Sequence, residues 1–130
     1  MILPPTLQTQ LIDYAREGAP EEVCGLVAGR DGQALAVYPV ENRLHSPTLF
    51  EMQPEALLQM LILIEDAGMD ITAVYHSHPT GPLTPSRVDL CSHVFPEASI
   101  LILANLHEVW SLAEFEPITG RQIAFFATNQ

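Results

Sequence analysis

The chain has 130 residues, and 48% of them are hydrophobic, so we expect one domain spanning 1–130 with a substantial core. Sixteen acidic residues stand against five basic ones, all of them arginine, which gives a formal net charge of −11 and a chain without lysine. This composition excludes the clustered basic surface of a nucleic-acid-binding protein and disfavours docking on an anionic membrane. The two cysteines are too few for a disulfide framework, and neither a signal peptide nor a membrane-spanning run is recognisable, so we expect a cytoplasmic protein.

Hydrophobic periodicity and turn residues divide the chain into alternating helices and strands, followed by a run of strands. In chain order the predicted elements are a helix over 5–17, strands over 23–28 and 34–40, a short strand over 49–52, a helix over 55–67, and strands over 71–75, 99–104, 108–115 and 121–127. Asp31-Gly32 predicts a tight turn between the first two strands. The second helix is apolar almost all round, so we expect it to be covered on more than one side. This order of elements predicts an α/β or α+β fold with helices packed against a sheet.

The most informative stretch follows the strand predicted over 71–75. His76 and His78 are two residues apart, so at the end of a strand both imidazoles project from the same face. A carboxylate placed opposite them, such as that of Asp89, would complete a three-ligand metal site. Two imidazoles and one carboxylate suit zinc and leave the fourth position for water, which is typical of a catalytic site. Such a site makes hydroxide available at about pH 7 and still needs a proton acceptor outside the metal ligands.

A helix predicted after this motif brings the carboxylate into place. Thr84 can cap its N-terminus, and Pro85 can occupy its first position. Ser86 and Asp89 are three residues apart and would share one face of the first turns. Other metal sites with an HxH motif fit less well, because the further acidic and histidine residues of cupins and metallo-β-lactamases are missing, as is the PCxxC of zinc deaminases.

Taken as a whole, the pattern His76-Ser77-His78, then Ser86 and Asp89, resembles the signature of the JAMM (Jab/MPN-type, MPN+) zinc metallopeptidases. Small prokaryotic members of that family carry an upstream P-x-E-x-C-G strand, which Pro20-Glu21-Glu22-Val23-Cys24-Gly25 matches with Glu22 as the acid. The resemblance covers most of residues 1–105. It implies the MPN/JAMM fold, which is cytidine-deaminase-like, with a mixed, largely antiparallel sheet flanked by helices.

The same resemblance implies the roles of the site residues. His76, His78 and Asp89 would bind one Zn2+ per chain together with a catalytic water. Glu22 would act as the general base that passes a proton to the leaving amine, and Ser86 would help hold the water or the developing oxyanion. The expected reaction is hydrolysis of an amide bond at the C-terminal Gly-Gly of a ubiquitin-like or sulfur-carrier protein, with no role for nucleic acid or membrane.

Alternatives to these assignments follow from the same residues. Glu21 competes with Glu22 for the role of the base, because it is its neighbour in the motif. Ser86 could instead be a helix-start residue whose hydroxyl only hydrogen-bonds to the backbone. The competing functions are a catalytically silent MPN-type interaction module and a zinc hydrolase of small amides. The residues expected to have only structural roles are His45, His93 and His107 in surface loops and Cys24 and Cys91 in the core.

Overall fold

The computed structural model describes residues 1–129, with the backbone alone described for 127–129, and over this range it shows a six-stranded mixed sheet with three helices. In chain order the elements are α1 (Pro5–Gly18), β1 (Cys24–Arg30), β2 (Gln33–Val40), α2 (Pro54–Asp66), β3 (Asp70–His78), α3 (Arg87–Ser92), β4 (Ser99–Leu106), β5 (Val109–Phe115) and β6 (Gln122–Asn129). The strand order is β2-β1-β3-β4-β5-β6, with β3 and β4 parallel and the other neighbouring pairs antiparallel. The expected mixed, largely antiparallel sheet flanked by helices is therefore confirmed. None of the helices in the described range is long and apolar enough to cross a membrane.

The helix α1 covers one face of the sheet. Leu11, Ile12 and Ala15 are buried at helical spacing. They pack against buried residues of the strands, namely Val27, Ala34, Ala73, Tyr75, Leu101, Leu103, Trp110 and Leu112. Because side chains alternate along a strand, the odd-numbered residues of β3 point to this face, and His76 and His78 point to the other.

The other face of the sheet is covered by α2 and by the connection between β3 and β4. Ile64 of α2 packs against Leu26, Ala28 and Val74. Parallel neighbours need a crossover connection, and α3 lies in the one that joins β3 to β4. Leu90 of α3 packs on the buried residues of β4 and β5. The crossover therefore brings α3 back over the face that carries the two histidines.

The strand predicted over 49–52 is wrong. These residues form a loop in which Met52 makes an isolated bridge to Asn42. The buried Asn42 side chain donates to the Leu49 carbonyl at 3.0 Å and accepts from the Glu51 N–H at 3.1 Å. A side chain thus satisfies backbone groups that a strand would have paired in a ladder.

Two expectations about burial are also wrong. The helix α2 was expected to be covered on more than one side, but only the side with Ile64 packs against the sheet, whereas Leu58, Ile62 and Leu63 are at least half-exposed. Cys91 is exposed, because it lies on α3, a short helix without a fully buried residue.

Candidate active site

Two histidines lie at the C-terminal end of β3. His76 and His78 are both buried on the face opposite α1, because β1 and β4 flank the strand. Their Nε2 atoms are 3.2 Å apart. β3 runs three residues beyond the predicted 71–75, so both imidazoles are carried by a strand inside the sheet rather than by a loop.

Asp89 reaches the two histidines from α3. Its Oδ2 lies 3.0 Å from His76 Nε2 and 3.2 Å from His78 Nε2. The Ser86 N–H donates to the same Oδ2 at 2.8 Å, and the Asp89 N–H donates to Ser86 Oγ at 3.0 Å. This reciprocal pair is a capping box, so the start of the helix itself orients the carboxylate.

The helix begins later than the sequence predicted. Ser86 is the N-cap and α3 starts at Arg87, so the assignment of Thr84 as cap and Pro85 as first residue is wrong. The capping box explains the difference, because Ser86 and Asp89 each satisfy a backbone N–H of the other. Ser86 therefore contacts the site through its backbone N–H, while its hydroxyl accepts the Asp89 N–H.

The surroundings of the three groups keep Asp89 ionised. Burial alone would raise the pKa of Asp89, but hydrogen bonds with both imidazoles outweigh this effect and hold its pKa far below the ordinary range. Burial lowers the pKa of His76, which favours the neutral imidazole that binds metals. Burial acts on His78 in the same direction, but its hydrogen bonds with Asp89 and with the Pro82 carbonyl raise its pKa overall.

The two imidazoles are oriented by different contacts. His78 Nδ1 donates to the Pro82 carbonyl oxygen at 2.6 Å, which leaves the lone pair on Nε2 for a metal. His76 Nδ1 is buried and has no hydrogen-bond partner among the described residues. The His76 ring instead stacks on Phe50, with ring centroids 4.5 Å apart and planes inclined by 24°. Phe50 thus holds His76 by packing where Pro82 holds His78 by a hydrogen bond.

Glu22 approaches the same site from the chain just before β1. A carboxylate oxygen of Glu22 and ring nitrogens of His76 and His78 all lie within 4.8 Å of one another. The neighbouring Val23 N–H donates to Ser77 Oγ at 2.8 Å, which fixes the backbone here against β3. The Glu22 side chain is buried, and its Oε1 has no hydrogen-bond partner in the described part of the chain. Burial raises the pKa of Glu22 to about 7.

Glu21, the alternative to Glu22, pairs with another group. Its Oε1 lies 3.1 Å from Nδ1 of the exposed His45, whose Nε2 is 3.6 Å from Glu41 Oε2. The structure therefore brings Glu22 to the two histidines, and it leaves Glu21 in a solvent-exposed cluster with His45.

The donor set and its spacing fit a tetrahedral metal ion. The donor atoms of His76, His78 and Asp89 form a triangle with edges of 3.0, 3.2 and 3.2 Å, which we call the ligand triangle. Bonds of about 2.0–2.1 Å in a tetrahedral site place neighbouring ligand atoms about 3.3 Å apart. Three protein ligands leave one position for water or substrate, as in catalytic zinc sites. The residues present therefore fit a catalytic metal ion, with Glu22 beside the triangle.

Two cavities flank the ligand triangle. An apolar cavity of about 210 Å³ has His76 and Asp89 in its wall and is completed by the loop before α2, by α2 and by the chain that follows α3. A second cavity of about 190 Å³ has Glu22, His78 and Ser86 in its wall. The ligand triangle thus borders a cavity on each of two sides.

The contacts that orient the ligands were not found from the sequence. No motif assigns a role to Phe50 or Pro82, because each acts through a ring or a carbonyl that only folding brings to the histidines. One signal was available and was missed: the segment 86–89 has the S-x-x-D/E spacing of a capping box.

Comparison with known protein sequences gives matches over most of the chain. The family described as prokaryotic homologs of the JAB domain matches residues 4–115. A desampylase of Haloferax volcanii is 36% identical over 121 residues, which cover 84% of this chain and 86% of that protein. A CysO-cysteine peptidase of Mycobacterium tuberculosis is 27% identical over 107 residues, which cover 81% of this chain and 73% of that protein. A desampylase of Pyrococcus furiosus is 41% identical over 69 residues, and the match spans 53% of this chain and 49% of that protein.

Solved structures agree with the sequence matches. A protein of Desulfitobacterium hafniense superposes with a TM-score of 0.80 at 28% identity, covering 100% of this chain and 94% of that chain. A JAB1/MPN domain protein of Archaeoglobus fulgidus has a TM-score of 0.62 at 18% identity, covering 95% of each chain, and it shows the likeness of the fold alone. The resemblance read from the motif residues is confirmed, and this chain belongs to the family of prokaryotic homologs of the JAB domain.

Proposed function

We propose that this chain is a zinc-dependent peptidase that hydrolyses the amide bond after the C-terminal Gly-Gly of a ubiquitin-like or sulfur-carrier protein. The observation that carries the proposal is a buried Glu22 carboxylate next to the donor atoms of His76, His78 and Asp89. The relatives support the substrate class, since they are named desampylases and a CysO-cysteine peptidase. We propose a reducing, cytoplasmic location as well, because the exposed Cys91 carries a free thiol.

Zinc would be held by the ligand triangle. The Ser86 N–H and the Pro82 carbonyl keep Asp89 and His78 in the orientation that binding requires. When bound, zinc supplies Lewis acidity, which polarises the scissile carbonyl and makes a water molecule acidic near neutral pH.

Glu22 would carry the proton chemistry. A carboxyl group with a pKa of about 7 can accept a proton from the attacking water and return it to the leaving amine at neutral pH. Its Oε1 is free to take up that water, because no described protein group donates to it. The Ser86 hydroxyl, which accepts the Asp89 N–H, keeps its own proton to donate to the water or the developing oxyanion.

The test combines metal content with cleavage. Native mass spectrometry of the purified protein should show one zinc ion per chain, and Asp89→Ala should abolish its binding. Intact-mass analysis should show removal of residues added after the Gly-Gly of a sulfur-carrier protein. A wild-type protein that takes up no zinc would favour the silent interaction module, and cleavage confined to small amides would favour the small-amide hydrolase.

A further inference from the structure

We propose that the apolar cavity beside His76 and Asp89 receives the side chain of the leaving residue, the one whose amine is released, and that the enzyme prefers an apolar residue at this position. The inference rests on the proposed cleavage after Gly-Gly and defines the part of the substrate on the other side of the scissile bond.

The cavity is built as a pocket for a side chain. Its volume of about 210 Å³ accommodates a side chain of the size of leucine, methionine or phenylalanine. Apart from His76 and Asp89, the wall is mainly hydrophobic. The apolar residues that face the cavity from the interior are Phe50, Met52, Leu57, Val74, Phe95 and Ile100. Contact with an apolar side chain would remove this surface from water, which is favourable.

The polar groups in the same wall are already engaged. The carboxylate of Glu51 is paired with Arg43, with 2.7 Å between Oε2 and Nη2. His93 Nε2 lies 2.7 Å from the carbonyl oxygen of Phe95 and 2.9 Å from that of Ala98, so this imidazole holds the chain after α3. A polar side chain entering the cavity would therefore lose water without gaining free partners.

We assign the side chain that fills the cavity to the amine side of the scissile bond. Glycine has no side chain, so the two acyl-side residues have nothing to place there. The wall of the second cavity contains Ser86 and the segment 79–85, which is rich in proline, threonine and glycine. Its hydroxyls and carbonyls suit a glycine backbone. The Glu22 carboxylate lies near both His76 and His78. It can therefore reach the amine of the leaving residue when the side chain of that residue occupies either cavity.

Charge adds a second preference. Among the described residues no arginine lines the cavity, and the nearby Arg43 is already paired with Glu51, so an acidic leaving residue finds no free cationic side chain there. The chain as a whole carries a net charge of −11, which acts in the same direction. We therefore expect aspartate to be the poorest leaving residue and leucine or methionine to be among the best.

The experiment uses the zinc-loaded full chain and carrier proteins that end in Gly-Gly-Xaa, where Xaa is Leu, Met, Phe, Ala, Gly or Asp. Release of Xaa is followed by intact mass. We expect kcat/KM to be roughly 10–150-fold higher for Leu or Met than for Gly, which is the range that corresponds to burying a whole aliphatic side chain. Leu57→Phe narrows the cavity, so the ratio of kcat/KM for Leu to kcat/KM for Gly should fall close to one. Leu58→Phe is the matched control, because Leu58 is the next residue and lies on the exposed side of α2. This variant should keep the preference for Leu over Gly.

A second variant changes a surface residue, so it does not disturb the core. Val94 lies at the rim of the cavity and is 72% exposed, so Val94→Arg should fold normally and should raise the rate with Asp relative to Leu. Equal rates for all leaving residues, or a preference unchanged in both Leu57→Phe and Val94→Arg, would overturn the inference and leave the proposed function standing. Absence of cleavage with every carrier would overturn the proposed function and this inference with it.

Discussion

Glu22 is a carboxyl group whose burial carries a cost in stability. Its pKa of about 7 in the folded chain lies above the ordinary 4.5, so the folded state binds this proton more tightly than the unfolded state. The free energy of unfolding therefore falls as the pH rises between these values, and the loss persists at higher pH. We expect Glu22→Gln to stabilise the metal-free protein by about 2–3 kcal/mol at about pH 8 and hardly at all near pH 4.5. Thermal unfolding followed by circular dichroism measures the difference.

Glu21→Gln is the control for this variant, because Glu21 lies in the exposed pair with His45. Unlike Glu22→Gln, it should not stabilise the metal-free protein at about pH 8. In the zinc-loaded protein, Glu22→Gln should keep the metal and lower kcat by about 10²–10⁴-fold, the range for loss of a general base. Equal activity losses in the two variants would contradict the assignment of the base to Glu22.

The stacking of Phe50 on His76 makes a second prediction at the scale of single residues. Removing a group that orients a metal ligand typically lowers metal affinity by about 10–100-fold. We expect Phe50→Ala to weaken zinc binding by this amount, as measured by competition with a chelating dye, because His76 Nδ1 has no hydrogen bond to hold the ring.

Phe50→Tyr keeps the ring and should retain the affinity. Leu49→Ala removes the neighbouring exposed side chain and should have no effect. If Phe50→Ala binds zinc as tightly as Leu49→Ala, the strand alone orients His76.

At the scale of elements, we expect the N-terminus of α3 to link helix stability to metal binding. Ser86→Ala removes the acceptor for the Asp89 N–H. It should lower the free energy of unfolding by about 1 kcal/mol, which is typical of the loss of an N-cap. The melting temperature and the zinc affinity should fall together, because the same capping box orients the Asp89 carboxylate.

Ser86→Thr retains a hydroxyl acceptor and should restore most of both quantities. Thr84→Ala tests the cap expected from the sequence and should change neither. A loss of stability in Ser86→Ala with unchanged zinc affinity would show that β3 and the rest of α3 orient Asp89 without the cap.

The elements show where sequence patterns sufficed and where they did not. Strands and helices with regular apolar spacing were predicted close to their observed bounds. The spacing of His76, His78 and Asp89 predicted that they lie together, and the structure places Asp89 of α3 against the two histidines of β3. The loop over 49–52 was missed because its backbone is held by the side chain of Asn42, and a distant amide leaves no periodic signal.

Burial on α2 was missed for a different reason. Hydropathy alone measures how apolar a helix is, whereas coverage depends on how many elements surround it. One sheet face covers α2 here, so Ile64 is buried and Ile62 is exposed on a helix whose residues look alike in the sequence. The contact of Phe50 with His76 was equally hidden, because it joins a loop to a strand across the fold.

At the scale of the whole molecule, metal binding should be visible as stability. An ion that binds only the folded chain stabilises it by about 2.7 kcal/mol when its free concentration is 100 times the dissociation constant. For a chain of this length we expect chelation of zinc to lower the melting temperature by roughly 10 °C. Differential scanning calorimetry with and without a chelator measures this shift.

Asp89→Ala provides the control, since it lacks one corner of the ligand triangle and should melt at the same temperature with and without the chelator. If saturating zinc does not change the melting temperature of the wild-type protein, the assignment of the metal ligands is contradicted.

The crossover between β3 and β4 gives the metal ion a further consequence. Two ligands precede the crossover and the third lies within it, so a bound ion would cross-link the chain between His78 and Asp89 as a disulfide closes a loop. The short helix α3 has no fully buried residue, and the wall of the apolar cavity continues from its end through Val94 and Phe95. The ion would therefore order the wall that selects the leaving residue. A chain that loses its zinc would lose both its activity and its preference among leaving residues. Partial loading with zinc would therefore reduce the number of active molecules, while the remaining ones would keep their selectivity.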